Sequence, residues 1–401
     1  GGAGRMNKVS GRDGPQPAAT PDRRAAARRH LRDLDGGLNR LWQLGRNLIV
    51  GWCPRREGID LLVIPQYMLP ELTGEISGLL SGSHAMARDQ LMTVAAMFRV
   101  KPISLALPFT PGPKGLGTKA IDSVVRRYSV TKSDYRAALL FDIVSFSLYT
   151  PLEQVTLLNS LAYSINVAHR QAIANKLRID LGRSTTGDGF YVWNRDDGIS
   201  ADVNLFYLMM LILADNALAQ IKGNPRTAPV LRTCFHIGSH YEYYQAEGLN
   251  PAISGYIVGD LTIELARMIG KALDGQVLFG NFDRPNDETA GRGGGGTPVP
   301  TPVFVKRAQD QLDRLADITL SSEEISAIKV YLTGERVERG VYNIKKYSVV
   351  DKHGLRRDVF NAKVNIFRGN SDTLYLGLEN KELERFDAEE GQYRQTGERA
   401  H

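Results

Sequence analysis

The chain holds two cysteines among 401 residues, Cys53 and Cys234. That scarcity excludes a disulfide framework, and the two follow no thiolate metal spacing. A reduced, cytoplasmic setting fits such usage. No apolar run approaches the ~18 residues that a membrane span needs, and no secretory signal is read. A large excess of one charge sign is also missing. Fifty Lys and Arg against 44 Asp and Glu leave a net +6. The excess gathers near the N-terminus at Arg23, Arg24, Arg28, Arg29 and Arg32. A solvated helix face or tail accounts for it, and no groove-reading motif supports nucleic-acid binding. With 42% hydrophobic and 23% charged residues, the composition is that of an ordinary soluble protein.

What is present organises around Leu139-Leu140-Phe141-Asp142-Ile143-Val144-Ser145-Phe146-Ser147. An apolar run delivers Asp142 to the end of a buried strand, and a turn-prone segment follows it. Asp188 comes 46 residues later, within Thr186-Gly187-Asp188-Gly189-Phe190, which reads as a tight hairpin. Two carboxylates at adjacent strand ends can share Mg²⁺ or Mn²⁺, whose shells oxygen ligands and substrate phosphates complete.

Along the chain, residues 1–20 read as a disordered segment, with Gly1 to Met6 an expression scar. Residues 21–133 read as a helical region, including helices over 71–80 and 84–98. Residues 134–285 read as the central domain. There the order β-α-β-β-α-β predicts a ferredoxin-like α+β fold, with helices over 151–176, 202–221 and 259–273. Residues 286–302 are a Gly/Pro linker. Residues 303–390 form a terminal module, opening on helices over 303–315 and 321–328 and turning to strands beyond Val330.

The central segment resembles the class III nucleotidyl cyclases over about 150 residues, from Tyr135 to Phe282. Phe141 to Ser147 is similar to that family's first metal motif, with Ser145 in place of glycine. Thr186 to Phe190 is similar to the second. Phe235-His236-Ile237-Gly238 and Val258-Gly259-Asp260 through Arg267 follow two further motifs in order. The resemblance implies a cyclase of nucleoside triphosphates working with two Mg²⁺ or Mn²⁺ ions. Asp142 and Asp188 would be the metal ligands, with the Ile143 carbonyl. The amides of Val144, Ser145, Phe146 and Ser147 would receive the triphosphate, and Arg267 the transferring phosphoryl group. It also implies a head-to-tail homodimer with shared sites.

The departures bear on the base. Ser184 and Tyr256 stand where purine cyclases carry their base-reading pair, which points to a pyrimidine, UTP ahead of CTP. The family's ribose-orienting asparagine falls at Ile263, which leaves Thr262 as the candidate for that role. Tyr347 to Gly354 and Val359 to Val364 resemble a sensor module of bacterial defence cyclases. The whole resembles the pyrimidine cyclases of Pycsar anti-phage systems. An adenylate or guanylate cyclase and an inactive nucleotide sensor are the alternatives.

Overall fold

The computed structural model describes residues 21–71, 78–112, 115–247, 253–286, 296–315, 317–338, 341–350, 354–383 and 393–395. The expected disordered segment and helix over 71–80 fall wholly or mainly outside them. The chain divides into two units, Gly1–Leu79 with Ser83–Ser129, and Leu80–Gly82 with Val130–His401.

The first unit contains α1 (Pro21–Trp42), β1 (Asn47–Arg55), β2 (Gly58–Pro65), α2 (Arg88–Met97), β3 (Ile103–Ala106) and α3 (Thr118–Val125). Leu34, Leu38 and Trp42 recur every fourth residue of α1 and are its buried stripe. The expectation of a helical region needs correction, because β1, β2 and β3 form an antiparallel sheet. Buried Asp122 on α3 ties these elements together. One carboxylate oxygen accepts from Trp52 Nε1 at 3.0 Å and from the His84 amide at 2.9 Å.

The second unit opens with β4 (Val130–Ile143), α4 (Pro151–Ala174), β5 (Leu181–Thr185), β6 (Gly189–Asn194) and α5 (Ile199–Lys222). It continues with β7 (Leu231–Ala246), β8 (Ile253–Val258), α6 (Asp260–Ile269), β9 (Val277–Gly280), β10 (Asp283–Pro285), β11 (Pro298–Pro300) and α7 (Thr301–Leu312). Then come β12 (Ile318–Leu320), β13 (Glu323–Leu332), β14 (Gly334–Glu338), β15 (Val341–Ile344), β16 (Tyr347–Val350), β17 (Arg356–Arg368), β18 (Leu374–Leu376) and β19 (Tyr393–Gln395).

One mixed sheet runs through this unit in the order β12-β13-β17-β9-β7-β4-β6-β5, with β8 added on β7. β4 is antiparallel to both β6 and β7, while β7 and β9 are parallel. The central strand explains the layering. Leu139, Phe141 and Ile143 point into a core shared with α4, α5 and α7. Ala138 and Leu140 point the other way, into a core with Leu261, Leu265 and Met268 of α6.

Three expectations change here. α5 is long and apolar enough to cross a membrane by length and composition, but most of its apolar window is buried inside the protein. The C-terminal segment is not detached from the central sheet, since β17 pairs with β9 from Val359–Gly280 to Ala362–Val277. The expected helix over 321–328 is a strand. Ser321 and Ser322 both have positive φ (46° and 64°) and turn β12 tightly into β13.

Candidate active site

Asp142 is the penultimate residue of β4, with Gly189 of β6 opposite on one side and Arg232 of β7 on the other. The alternation that sends Phe141 into the α4–α5 core puts Asp142 on the α6 side of the sheet. Gly189 permits this arrangement, since a Cβ there would lie 1.8 Å from the Phe141 carbonyl oxygen. That closeness brings the hairpin carrying Asp188 against the strand end. The Asp188 carbonyl accepts from the Ile143 amide at 3.0 Å, and Thr186 Oγ1 donates to Asp188 Oδ1 at 3.1 Å. Gly187 turns the hairpin at a φ of 99°.

The two carboxylates share one pocket of charge. Burial comes first in pushing the Asp142 carboxyl up to about 6; the nearby Arg232 guanidinium opposes it, while Asp188 and Asp274 add to it. Arg232 Nε is 3.1 Å from Asp142 Oδ2, yet it is out of line for a hydrogen bond. It also lies 4.0 Å from Asp274 Oδ1. Arg232 and Asp274 were not legible beforehand, because only the β4–β7 register places the arginine opposite Asp142. Among the described residues no group of three or more His, Cys, Asp or Glu forms a ready-made metal cage.

Past Ile143 the chain turns sharply. Ser145 adopts the left-handed conformation (φ 55°, ψ 29°) and its carbonyl accepts from the Leu148 amide at 2.9 Å. α4 then starts on a reciprocal cap: Thr150 Oγ1 accepts from the Glu153 amide at 3.4 Å, and the Thr150 amide donates to Glu153 Oε2 at 2.9 Å. The Val144 amide is already committed to the Val230 carbonyl at 2.9 Å. Of the four amides expected to meet a triphosphate, Val144 is thus engaged within the fold, which leaves those of Ser145, Phe146 and Ser147 as candidates.

The other expected residues are placed as follows. Ser184 pairs with Tyr191, which pairs with Leu140, so all three lie in one row on the face that carries Asp142. Arg267 is half-buried in the last turn of α6, on the same side of the sheet. Thr262 already uses its hydroxyl within the chain. Its Oγ1 accepts from the Gly259 amide at 3.2 Å and donates to the Gly259 carbonyl at 2.9 Å, closing the start of α6. Tyr256 is remote within one chain. Its neighbour Ile257 packs toward α6, so Tyr256 points to the opposite face, where it stacks on Tyr243 at 5.7 Å. Tyr243 lies 11 residues along β7 from Arg232, a run of more than about 30 Å.

No protein-family profile matches this chain, and no curated protein matches it. Solved structures do match. The guanylate cyclase domain of RhGC from Catenaria anguillulae in complex with GTP is 16% identical, with 42% of this chain and 95% of that chain covered and a TM-score of 0.30. The catalytic core of a rhodopsin-guanylyl cyclase with converted specificity, in complex with ATPalphaS, is 15% identical over 42% and 95% of the two chains, TM-score 0.30. The adenylyl cyclase CyaB from P. aeruginosa is 10% identical over 60% and 97%, TM-score 0.30. At that distance the chemistry has to be read from this chain's own residues.

Proposed function

We propose that the chain is a nucleotidyl cyclase. It converts a nucleoside triphosphate to the 3′,5′-cyclic monophosphate and pyrophosphate. The observation that carries the reading is the Asp142–Asp188 pair, held together by the Gly189 close approach beside a turn whose amides suit phosphate oxygens. The β4-α4-β5-β6-α5-β7 order, with β5-β6-β4-β7 side by side, is what a ferredoxin-like reading of this core requires.

The donor set fits a hard divalent cation. It offers the carboxylate oxygens of Asp142 and Asp188, with Asp274 adding negative charge nearby, which supports a positive partner there. Mg²⁺ or Mn²⁺ held by Asp142, Asp188 and the Ile143 carbonyl would acidify the 3′-hydroxyl and neutralise triphosphate charge. The remaining work falls to the chain. The amides of Ser145 to Ser147 hold the triphosphate so that the 3′-oxygen lies in line with the α-phosphorus. Arg267 offsets charge gathering on the phosphoryl oxygens as the bond to pyrophosphate breaks.

Tyr256 lies too far from Asp142 to serve the same chain's site, so it is assigned to a site completed by a second copy, in a head-to-tail homodimer; Arg267 is assigned there on the family resemblance alone. Ser184 and Tyr256 supply no purine-reading pair, which supports a pyrimidine substrate, UTP ahead of CTP. The product is then a second messenger, in keeping with anti-phage defence. Incubation with each of ATP, GTP, CTP and UTP and Mn²⁺, with product identified by mass, tests the reading. A dominant purine rate would replace the pyrimidine assignment with an adenylate or guanylate cyclase. An intact protein inert toward all four would be an inactive sensor.

A further inference from the structure

A cleft of about 450 Å³ opens beside α6, β9 and β17, lined among others by His236, Glu264, Met268, Asn281, Arg356 and Arg357. It belongs to the second unit. We propose that this cleft is a second ligand site, which takes a phosphate-bearing metabolite of about nucleoside monophosphate size.

The volume falls within the range of small-molecule sites, ~300–1,000 Å³. The charges along the wall balance, Arg356 and Arg357 against Glu264 and Asp358, but they are unequally engaged. Arg357 is ion-paired with Glu264 across the α6–β17 junction. Asp358, also in the lining, accepts from Ser348 Oγ at 2.8 Å. Arg356 is exposed, and among the described residues it has no carboxylate partner. Arg356 is therefore the guanidinium of the lining that no ion pair holds among the described residues, and its planar fork matches a phosphate group. Met268 supplies an apolar patch, and the Asn281 side chain adds amide donors and an acceptor for a polar body.

The wall itself is unfinished. His236 Nδ1 and Arg357 Nε are both buried without hydrogen-bond partners. Unmade bonds of this kind at one wall are costly, and they recur where a ligand or water completes a site. The His236 ring is admitted only because residue 280 is glycine, since a Cβ there would lie 2.1 Å from Nδ1. Burial keeps that imidazole neutral, with its pKa lowered to about 4, so it can accept a hydrogen bond near neutral pH. None of these residues is used by the proposed cyclase reaction. Glu264 and Met268 nevertheless share α6 with Arg267, so a ligand here would bear on the helix that reaches the partner's site.

Isothermal titration calorimetry on the full chain tests this, with inorganic phosphate, AMP and UMP as probes in EDTA-containing buffer. At least one monophosphate should bind once per chain with a Kd below about 1 mM and more tightly than phosphate. Arg356→Glu should weaken it by about tenfold or more, Asn281→Asp should weaken it too, and Asp142→Asn should leave it unchanged. Three results would overturn the proposal: no binding of any probe, phosphate binding as tightly as the monophosphates, or binding lost with Asp142→Asn and kept with Arg356→Glu. Because metal is absent, the outcome does not depend on whether the chain proves to be a cyclase.

Discussion

At the scale of single residues, Asp142 and Asp188 bear most of the account. Asp142→Asn or Asp188→Asn should each cut turnover by more than about a hundredfold. Loss of an outer-shell partner of a metal ligand alone already costs ~10–100-fold. Circular dichroism should show both variants folded. Ser145 makes a different prediction. Its left-handed backbone costs a non-glycine residue on the order of 1 kcal/mol, so Ser145→Gly should leave the melting temperature unchanged or raise it. His240 adds a pH dependence. Burial, then the neighbouring Arg136, lowers its pKa to about 4, and neither ring nitrogen makes a well-formed hydrogen bond. Between pH ~6.5 and ~4 the unfolded chain takes up a proton that the folded chain refuses. Stability is therefore full above that window and falls as pH drops through it. His84 and His236 are lowered to about 4 by burial as well, so His240→Leu should make the slope of the melting temperature across those values shallower without abolishing it; an unchanged slope would place the acid sensitivity elsewhere.

At the scale of elements, the hairpin is the vulnerable joint. Gly189→Ala would drive a methyl into the Phe141 carbonyl, and should cost more than about 2 kcal/mol while releasing Asp188 from Asp142. Chemical denaturation reads the first effect and turnover the second. This joint was legible in the sequence, because a continuous apolar run ending in one aspartate has few uses and Gly-Asp-Gly is strong turn chemistry. Other elements were not. Ser321-Ser322-Glu323-Glu324 carries a helix-start signature, yet the two serines take left-handed turn positions that Asn-Gly usually fills, and tertiary pairing of β13 with β17 decides the outcome. β1 was hidden by Gly51 and Pro54, which interrupt its apolar pattern. β8 is short and half-buried, and without it Tyr256 had no assignable face. Arg232 could not be read at all, since its meaning lies in cross-strand register.

At the scale of the whole molecule, the proposed cyclase reading makes assembly part of the chemistry, because Tyr256 lies far from Asp142 along β7 and β8. Mixing inactive Asp142→Ala with inactive Arg267→Ala should restore about a quarter of wild-type activity, given random exchange and independent sites. No rescue despite confirmed exchange would put each site within one chain. The described C-terminal strands extend the central sheet, so truncation before β17 removes the neighbour of β9 rather than a detachable appendage. Such a truncation should yield insoluble or molten protein, which expression and a thermal melt would show. The most direct measurement is side-by-side turnover of ATP, GTP, CTP and UTP with Mn²⁺, using wild type and Asp142→Asn. The account predicts pyrophosphate and a 3′,5′-cyclic pyrimidine nucleotide from wild type, UTP foremost, and neither from the variant. Folded wild-type protein that yields no cyclic nucleotide from any of the four would contradict it.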